Sequence, residues 1–212
     1  MSAMFKSSPA LGCQIFYKMP KLVFATGNPN KISEVNDLLA GHFEVLGLAD
    51  IGCPPDLPET SPTIPENALQ KARYVHENFQ VDCFSEDTGL EVAALGGEPG
   101  VLSARYAGED KNPAANMDLV LRKMAGEPNR EARFYTVIAL ILNGEEHLFE
   151  GTAEGEIRHE PSGTGGFGYD PIFQPTGFGV TFAELSKAEK NAISHRGRAV
   201  RKLVDFLASL NP

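Results

Sequence analysis

Hydrophobic and polar positions follow two different periods along this chain, and together they predict strands and helices in alternation. Residues 21–26 (KLVFAT) form a short apolar run that ends at Gly27-Asn28-Pro29, which is typical of a strand entering a turn. Apolar residues then recur at helical spacing within residues 32–39. The folded part of the sequence therefore opens with a strand, a loop and a helix.

The next segment combines a second strand, an irregular connection and a second helix. Residues 43–48 alternate like a strand, and five prolines then make residues 49–65 irregular and fairly stiff. Thr63 and Glu66 have the spacing of a capping box, and apolar residues recur at helical spacing up to Phe79. An irregular connection of this length is often functional.

Two acidic residues follow the third predicted strand. Residues 81–85 have the strand pattern, and the next four residues, Glu-Asp-Thr-Gly, predict a turn that carries Glu86 and Asp87. Mg²⁺ takes one or two protein carboxylates and fills its other positions with water and phosphate oxygens. A carboxylate at this place also suits the activation of a water molecule. The alternative is a turn whose acidic side chains have no chemical role.

The second half of the chain predicts a helix and then a long hairpin. Asn112-Pro113 starts a helical pattern that Gly126 ends. Residues 133–142 and 147–157 have strand patterns on either side of Asn143-Gly144, a dipeptide that favours the type I′ hairpin turn. Antiparallel strands are thus mixed into an α/β pattern.

The loop at residues 26–31 (TGNPNK) is the first segment suited to a ligand. It joins a predicted strand to a predicted helix, where backbone N–H groups and the charge of Lys31 suit an anion. Its spacing differs from that of a Walker A loop. A tight turn with a solvated lysine is the alternative.

Residues 163–170 (GTGGFGYD) form a glycine-rich loop with two aromatic side chains. Glycine lets the backbone approach a ligand closely, and the ring of Phe167 offers a stacking face for a base. Asp170 suits a ribose hydroxyl or a neighbouring basic group. The alternative is a hairpin loop whose aromatic side chains pack on the core.

Lys190, His195 and Arg196 concentrate basic groups around the predicted start of a terminal helix. Positive groups at a helix N-terminus oppose the helix dipole, so an anionic or carbonyl-bearing ligand nearby would account for them. Their N–H groups suit an acceptor oxygen on a base edge or a phosphate. A basic surface patch is the alternative.

Composition and charge narrow the functional classes. The 212 residues are 42% hydrophobic and 22% charged, as in ordinary folded domains, and a net charge of −9 argues against binding to a nucleic-acid polymer. No apolar run approaches the roughly 18 residues that a membrane-spanning helix needs. The motifs of serine, cysteine and zinc hydrolases are absent. We expect residues 1–18 to be a disordered extension and residues 19–212 to form a single domain.

Five motifs, in order, resemble the inosine triphosphate pyrophosphatase family. They are LVFATGNPNKISEV, PENALQKA, SEDTGLEVAALGGEPGVLSARYAG, GTGGFGYDPIFQP and TFAELSKAEKNAISHRGRAVRKL, and the resemblance extends from Lys21 to Leu207. It implies a mixed α/β fold with an elongated central sheet, flanking helices and two lobes around a nucleotide-binding cleft. It also implies a homodimer, and we expect a cytoplasmic protein without membrane or nucleic-acid partners.

The activity implied by the resemblance is Mg²⁺-dependent hydrolysis of ITP, dITP and XTP to the nucleoside monophosphate and pyrophosphate. Hypoxanthine and xanthine carry an acceptor oxygen at C6 where adenine carries a donor amino group, so a donor-lined pocket rejects adenine. Guanine also carries that oxygen, so its exclusion needs a second structural feature that disfavours the 2-amino group. The sequence does not identify the residue that provides it. Two alternatives are a pyrophosphatase for other modified nucleotides and a nucleotide-binding regulator without turnover.

The resemblance also assigns residues to the phosphate and metal end of the site. Asp87 matches the proton acceptor and a metal ligand, and Glu59 in the proline-rich connection matches a second metal-associated carboxylate. Lys71, on the second predicted helix, either approaches the phosphates or lies on a solvated face. The residues matched to phosphate contacts are Thr26, Gly27, Asn28, Lys31 and Thr88.

The nucleoside end is matched to the glycine-rich loop and the basic residues. Many bacterial members of the family have Asp-Asp-Ser-Gly where this chain has Glu86-Asp87-Thr88-Gly89, so the longer arm of Glu86 leaves its part in metal binding open. Thr88 keeps the hydroxyl. The residues matched to the sugar and the base are Phe167, Gly168, Tyr169, Asp170, Lys190, His195 and Arg196.

Overall fold

The computed structural model describes residues 21–39 and 43–210 of the chain. Within these ranges the backbone forms one six-stranded sheet and five α-helices. The extension predicted at residues 1–18 lies outside the described residues. None of the described helices is both long enough and apolar enough to span a membrane.

Helices separate the first three strands, whereas the next two strands follow one another directly. The strands are β1 (Lys21–Phe24), β2 (Glu44–Leu46), β3 (Cys83–Val92), β4 (Glu131–Leu142), β5 (Glu145–Ile157) and β6 (Phe173–Pro175). The α-helices are α1 (Pro29–Leu39), α2 (Ile64–Phe79), α3 (Pro113–Lys123), α4 (Lys187–Ile193) and α5 (His195–Ser209).

The sheet mixes parallel and antiparallel pairs, as predicted. Its strand order is β2-β1-β3-β4-β5-β6, in which β1 pairs in parallel with β2 and β3 and the other pairs are antiparallel. The turn between β4 and β5 has positive φ angles at Asn143 (52°) and Gly144 (81°). These angles are those of a type I′ turn, so the predicted hairpin is confirmed.

Alternation along the strands directs apolar side chains to helices on both faces of the sheet. Val137 and Ile141 of β4 pack in the cluster under α2, whereas Ile138 and Leu140 pack in the cluster under α1 and α5. A third cluster, which includes Phe134, packs the other end of β4 and β5 against α3 and β6. The mixed α/β architecture with flanking helices is therefore confirmed.

One predicted boundary is wrong, and it concerns the acidic residues. The strand predicted at residues 81–85 continues as β3 to Val92, so Glu86 and Asp87 lie inside a strand and not on a turn. The polar run stays in the sheet because every residue of β3 pairs with a residue of β4. Successive side chains of a strand point to opposite faces. The two carboxylates therefore enter different environments.

Candidate active site

One cavity of about 500 Å³ brings the predicted site residues together. Its wall is built from segments distant in sequence: the β1–α1 loop, the proline-rich connection, α2, β3, the glycine-rich loop, α4 and the start of α5. The predicted residues in its lining are Thr26, Gly27, Asn28, Lys31, Glu59, Lys71, Asp87, Thr88, Phe167, Gly168, Tyr169, Asp170, Lys190, His195 and Arg196. Their individual roles stay predictions.

The β1–α1 loop presents a helix N-terminus and a half-buried lysine to this cavity. The side-chain oxygen of Asn28 accepts hydrogen bonds from the backbone N–H groups of Asn30 (3.0 Å) and Lys31 (3.3 Å), which caps α1. Nζ of Lys31 donates to the carbonyl oxygen of Glu86 at 3.2 Å and lies 3.6 Å from its carboxylate. Burial lowers the pKa of Lys31, although the charge of Glu86 opposes this shift. The arrangement is suited to an anion.

Lys71 of α2 connects the two carboxylates that the sequence assigns to a metal. Its Nζ donates to Oδ1 of Asp87 (3.1 Å), to the carbonyl oxygen of Glu86 (2.9 Å) and to Oε1 of Glu59. Burial tends to lower the pKa of Lys71, but the charges of Asp87 and Glu59 outweigh it and raise that pKa. Lys71 is buried, so the alternative of a solvated helix face is wrong.

Asp87 has the electrostatic surroundings of a proton acceptor. Burial raises its pKa above the ordinary value, and the positive charges of Lys71 and Lys31 only partly oppose this shift. For Glu59, burial also acts to raise the pKa, but the charge and hydrogen bond of Lys71, together with the charges of Lys31 and Arg105, outweigh it and the pKa is lowered. The two carboxylates that share one ammonium group therefore differ in basicity.

Glu86 faces α5 and does not line the cavity. Its carboxylate is fully buried and accepts two hydrogen bonds from the guanidinium of Arg196, at 2.7 Å from Nε and 2.6 Å from Nη2. Oε1 also accepts from the hydroxyls of Thr88 (2.5 Å) and Thr136 (3.1 Å). Burial alone would raise the pKa of Glu86, but the charges of Arg196 and Lys31 hold it well below its ordinary value. Both oxygens are thus engaged by the protein.

The basic residues at the start of α5 are balanced by the chain's own carboxylates. Nζ of Lys190 donates to Asp170 (2.6 Å) and Glu34 (2.8 Å), and Nη1 of Arg196 donates to the other oxygen of Glu34 (2.5 Å). The basic residues by themselves predict a nearby anionic or carbonyl-bearing ligand, whereas the structure also gives them carboxylate partners within the chain. Burial raises the pKa of Asp170, and the charge of Lys190 opposes that shift.

The two aromatic residues of the glycine-rich loop have different environments. The ring of Phe167 is half-buried in the cavity wall, with Nζ of Lys190 5.1 Å and Cζ of Arg196 5.5 Å from its centroid. Tyr169 is buried in the third apolar cluster and donates its hydroxyl to the carbonyl oxygen of Ser103 at 2.8 Å. Core packing thus fixes Tyr169 where it borders the cavity, whereas Phe167 lines the cavity beside two cations.

His195 provides a buried nitrogen without a partner. Its ring stacks on Phe134, with centroids 4.6 Å apart and an interplanar angle of 18°. Among the described residues, Nδ1 of His195 is a buried polar atom that makes no hydrogen bond. Burial, followed by the charge of Arg196, lowers its pKa well below the ordinary value, so the ring is neutral. A ligand in the cavity would give this ring a polar partner.

The close packing of α5 on the sheet depends on a glycine. A Cβ at Gly151 of β5 would lie only 2.0 Å from the carbonyl oxygen of His195 and 2.8 Å from the backbone nitrogen of Ala199. Glycine therefore lets the first turn of α5 approach the strand, which places His195 in the cavity wall.

Sequence reasoning missed two charged residues of the site. Glu34 is buried on α1. It lies four residues before Leu38, so helical spacing places its carboxylate on the predicted apolar face, and this unusual position could have indicated it. Arg105 lines the cavity and donates from Nη2 to the carbonyl oxygen of Glu59 at 3.2 Å. Nothing in the local sequence around Arg105 distinguishes it from a surface arginine.

Comparison with known proteins gives consistent matches over nearly the whole chain. The model of the Ham1 family matches residues 22–206. The dITP/XTP pyrophosphatase of Christiangramia forsetii is 54% identical over 188 residues, which cover 89% of this chain and 99% of the relative. The dITP/XTP pyrophosphatase of Porphyromonas gingivalis is 52% identical over 190 residues, which cover 89% and 98% of the two chains.

Solved structures also resemble this fold. The Staphylococcus aureus Ham1 protein superposes with a TM-score of 0.83 at 38% identity, covering 90% of this chain and 100% of its own. A nucleoside-triphosphatase / dITP/XTP pyrophosphatase from Mycobacterium abscessus superposes with a TM-score of 0.72 at 42% identity, covering 86% and 98%.

Proposed function

This chain belongs to the Ham1 family, and from that premise we propose that it hydrolyses ITP, dITP and XTP to the nucleoside monophosphate and pyrophosphate. The names of the relatives support this substrate class. One observation carries the proposal: a single cavity has carboxylates and lysines at one end, and the residues Phe167, His195 and Arg196 at the other. Such a cavity suits a phosphorylated base.

The triphosphate is held at the end formed by α1 and α2. Lys31 and Lys71 supply positive charge, and the N-terminus of α1 adds the positive end of its helix dipole. Arg105 lines the same end and adds a third cation.

Asp87 orients a water molecule towards the α-phosphorus and accepts its proton as pyrophosphate leaves. Its raised pKa makes it a stronger base than an ordinary aspartate. Lys71 engages Oδ1, so Oδ2 is the oxygen available to the water among the contacts of the described residues. The reaction is a direct displacement and needs no covalent enzyme intermediate.

We propose Mg²⁺ as the cofactor, with Glu59 and Asp87 as its protein ligands. The fit is favourable because both carboxylates already contact one cation, the ammonium group of Lys71. Residues 21–39 and 43–210 contain no cluster of three or more His, Cys, Asp or Glu side chains suited to a metal. Water and phosphate oxygens would complete the coordination. When bound, Mg²⁺ neutralises charge on the phosphate oxygens.

The purine is recognised by N–H donors beneath the ring of Phe167. The guanidinium of Arg196 has five N–H groups, and contacts among the described residues engage three of them. The remaining donors, together with Lys190, favour the C6 oxygen of hypoxanthine or xanthine and disfavour the amino group of adenine. Phe167 stacks on the base.

We also propose a homodimer and a cytoplasmic location. Both rest on the family resemblance alone, as does the description of residues 19–212 as one two-lobed domain. Sedimentation velocity at several protein concentrations tests the dimer, and a species that stays monomeric throughout would contradict it.

Pyrophosphate release tests the proposed activity. ITP, XTP, ATP, GTP and dUTP are compared side by side, with Mg²⁺ and with EDTA. We expect fast, Mg²⁺-dependent release from ITP and XTP, and a loss of roughly 10²- to 10⁴-fold for ITP in Asp87→Asn with nucleotide binding retained. Release from dUTP alone would indicate a different modified-nucleotide substrate. Binding of ITP without release from any nucleotide would indicate a regulator.

A further inference from the structure

We propose that Glu86 is a positioning residue that fixes both ends of the cavity without touching the nucleotide. The inference rests on the proposed function, because it assigns one end of the site to the base and the other to the phosphates. Glu86 is absent from the cavity lining, and its side chain is fully buried. Any effect on ligands must therefore pass through its neighbours.

Towards the base end, the carboxylate of Glu86 fixes the plane of the Arg196 guanidinium. Both oxygens take part, with Oε2 2.7 Å from Nε and Oε1 2.6 Å from Nη2. Such paired contacts hold a guanidinium in one orientation. The third contact of Arg196, from Nη1 to Glu34, leaves it little freedom to rotate. The carboxylates of Glu86 and Glu34 thereby fix the orientation of the Arg196 N–H groups that face the base.

Towards the phosphate end, the same residue orients two lysines. Its carbonyl oxygen accepts hydrogen bonds from Nζ of Lys31 at 3.2 Å and Nζ of Lys71 at 2.9 Å. The hydroxyl of Thr136 lies 3.1 Å from the carboxylate of Glu86 and 3.0 Å from the carbonyl oxygen of Asp87, and its single proton is shared between these two acceptors, which links the side chain to the strand backbone. The side chain also reaches one lysine directly, because Oε1 of Glu86 lies 3.6 Å from Nζ of Lys31.

Two other roles for Glu86 make different predictions. A metal ligand needs an oxygen open to the cavity, whereas both oxygens of Glu86 are engaged by Arg196 and neighbouring hydroxyls. A purely electrostatic role would have its negative charge oppose the binding of phosphates, so that removing the charge would tighten anion binding. A positioning role predicts the opposite sign.

Calorimetric titration of Glu86→Gln with two probes, inosine and inorganic tripolyphosphate, tests the inference without turnover. Both titrations use the full chain in EDTA, so that effects on metal binding are separated. We expect roughly tenfold weaker binding of each probe, because the variant loses the charged hydrogen bonds to Arg196 at the base end and the charge that lies 3.6 Å from Nζ of Lys31 at the phosphate end. Tighter tripolyphosphate binding, or unchanged binding of inosine, would overturn the positioning role.

Two further variants control for charge and for fold. Glu86→Asp keeps the charge but shortens the arm, so we expect weaker inosine binding there too, and unchanged binding would overturn the inference. If thermal unfolding shows that Glu86→Gln does not fold, Glu86→Asp is used to test the inference in its place.

Glu146→Gln is the matched control, because Glu146 accepts a similar pair of hydrogen bonds from Arg73 at 2.6 and 2.7 Å on the exposed surface. We expect it to bind both probes as the wild type does.

The same titrations separate this inference from the proposed function. Wild-type protein that binds neither inosine nor tripolyphosphate would overturn the assignment of the two ends, and the inference with it. Wild-type protein that binds both, with Glu86→Gln indistinguishable from it, would overturn the positioning role alone.

Discussion

Replacing Lys190 by methionine measures what a buried ion pair in the cavity wall contributes to stability. In the wild type, Nζ of Lys190 donates to Asp170 at 2.6 Å and to Glu34 at 2.8 Å, and the three side chains are 5%, 3% and 9% exposed. Methionine keeps most of the aliphatic length and removes the charge. Glu34 retains Arg196 as a partner, whereas Asp170 loses the cation that opposes the effect of burial on its pKa.

The expected loss for Lys190→Met is at most about 4 kcal/mol in the free energy of unfolding at neutral pH, because the pKa of Asp170 is already raised in the wild type. A buried carboxylate without a cation takes up a proton. Holding that proton costs about 1.4 kcal/mol for each pH unit between the ordinary pKa of 3.8 and about pH 7. The result falls within the roughly 3–5 kcal/mol found when one partner of a buried ion pair is removed.

Denaturant unfolding at about pH 7 and about pH 4.5 measures this loss and its sign. A carboxylate whose pKa is higher in the folded than in the unfolded state destabilises the folded protein at high pH, and this effect disappears as the pH falls. The gap between wild type and Lys190→Met should therefore shrink at the lower pH.

The control for this prediction is Lys21→Met. Lys21 makes a 2.9 Å pair with Glu44, but these two side chains are 46% and 45% exposed. An exposed pair contributes about 1 kcal/mol or less, so this variant should lose little stability at either pH. Equal losses in the two variants, or a gap for Lys190→Met that does not change with pH, would refute the reasoning.

Three smaller predictions concern the ring over the cations and two glycines. Phe167→Leu should weaken inosine binding by about 1–3 kcal/mol in calorimetry without changing the unfolding midpoint, and unchanged affinity would contradict a stacking role. Gly151→Ala should lower stability by about 1–3 kcal/mol and raise KM for ITP, because its Cβ would lie 2.0 Å from the carbonyl oxygen of His195; a normal KM would argue against that packing. Gly144→Ala should cost about 1 kcal/mol of stability because φ is 81° there, whereas KM should stay constant.

Features of the fold that depend on neighbouring residues could be predicted from the sequence. The cap of α2 is an example, because the Thr63 side chain accepts the N–H of Glu66 three residues later. The Asn143-Gly144 turn is another, because the required φ angles belong to the two residues themselves. Both features need no information from distant parts of the chain.

Features that depend on distant residues could not be predicted in this way. The continuation of β3 through Glu86 and Asp87 needs β4 as a partner, and polar residues before a glycine suggest a turn when that partner is unknown. The ion pair of Glu86 with Arg196 spans 110 residues, and that of Glu34 with Arg196 spans 162. The family resemblance supplied most of the predicted cavity residues, but it did not supply Glu34, which accepts hydrogen bonds from both Lys190 and Arg196.

The β4–β5 hairpin has a consequence for how the cavity can open. Its strands run without interruption from the cluster that contains Val137 to the cluster that contains Phe134. A hinge between these two ends would have to bend both strands and break ladder hydrogen bonds. A nucleotide should therefore enter through movement of rim segments, such as the proline-rich connection at residues 49–65. The amide protons of β4 should exchange with solvent as one slow group while those of the rim exchange early.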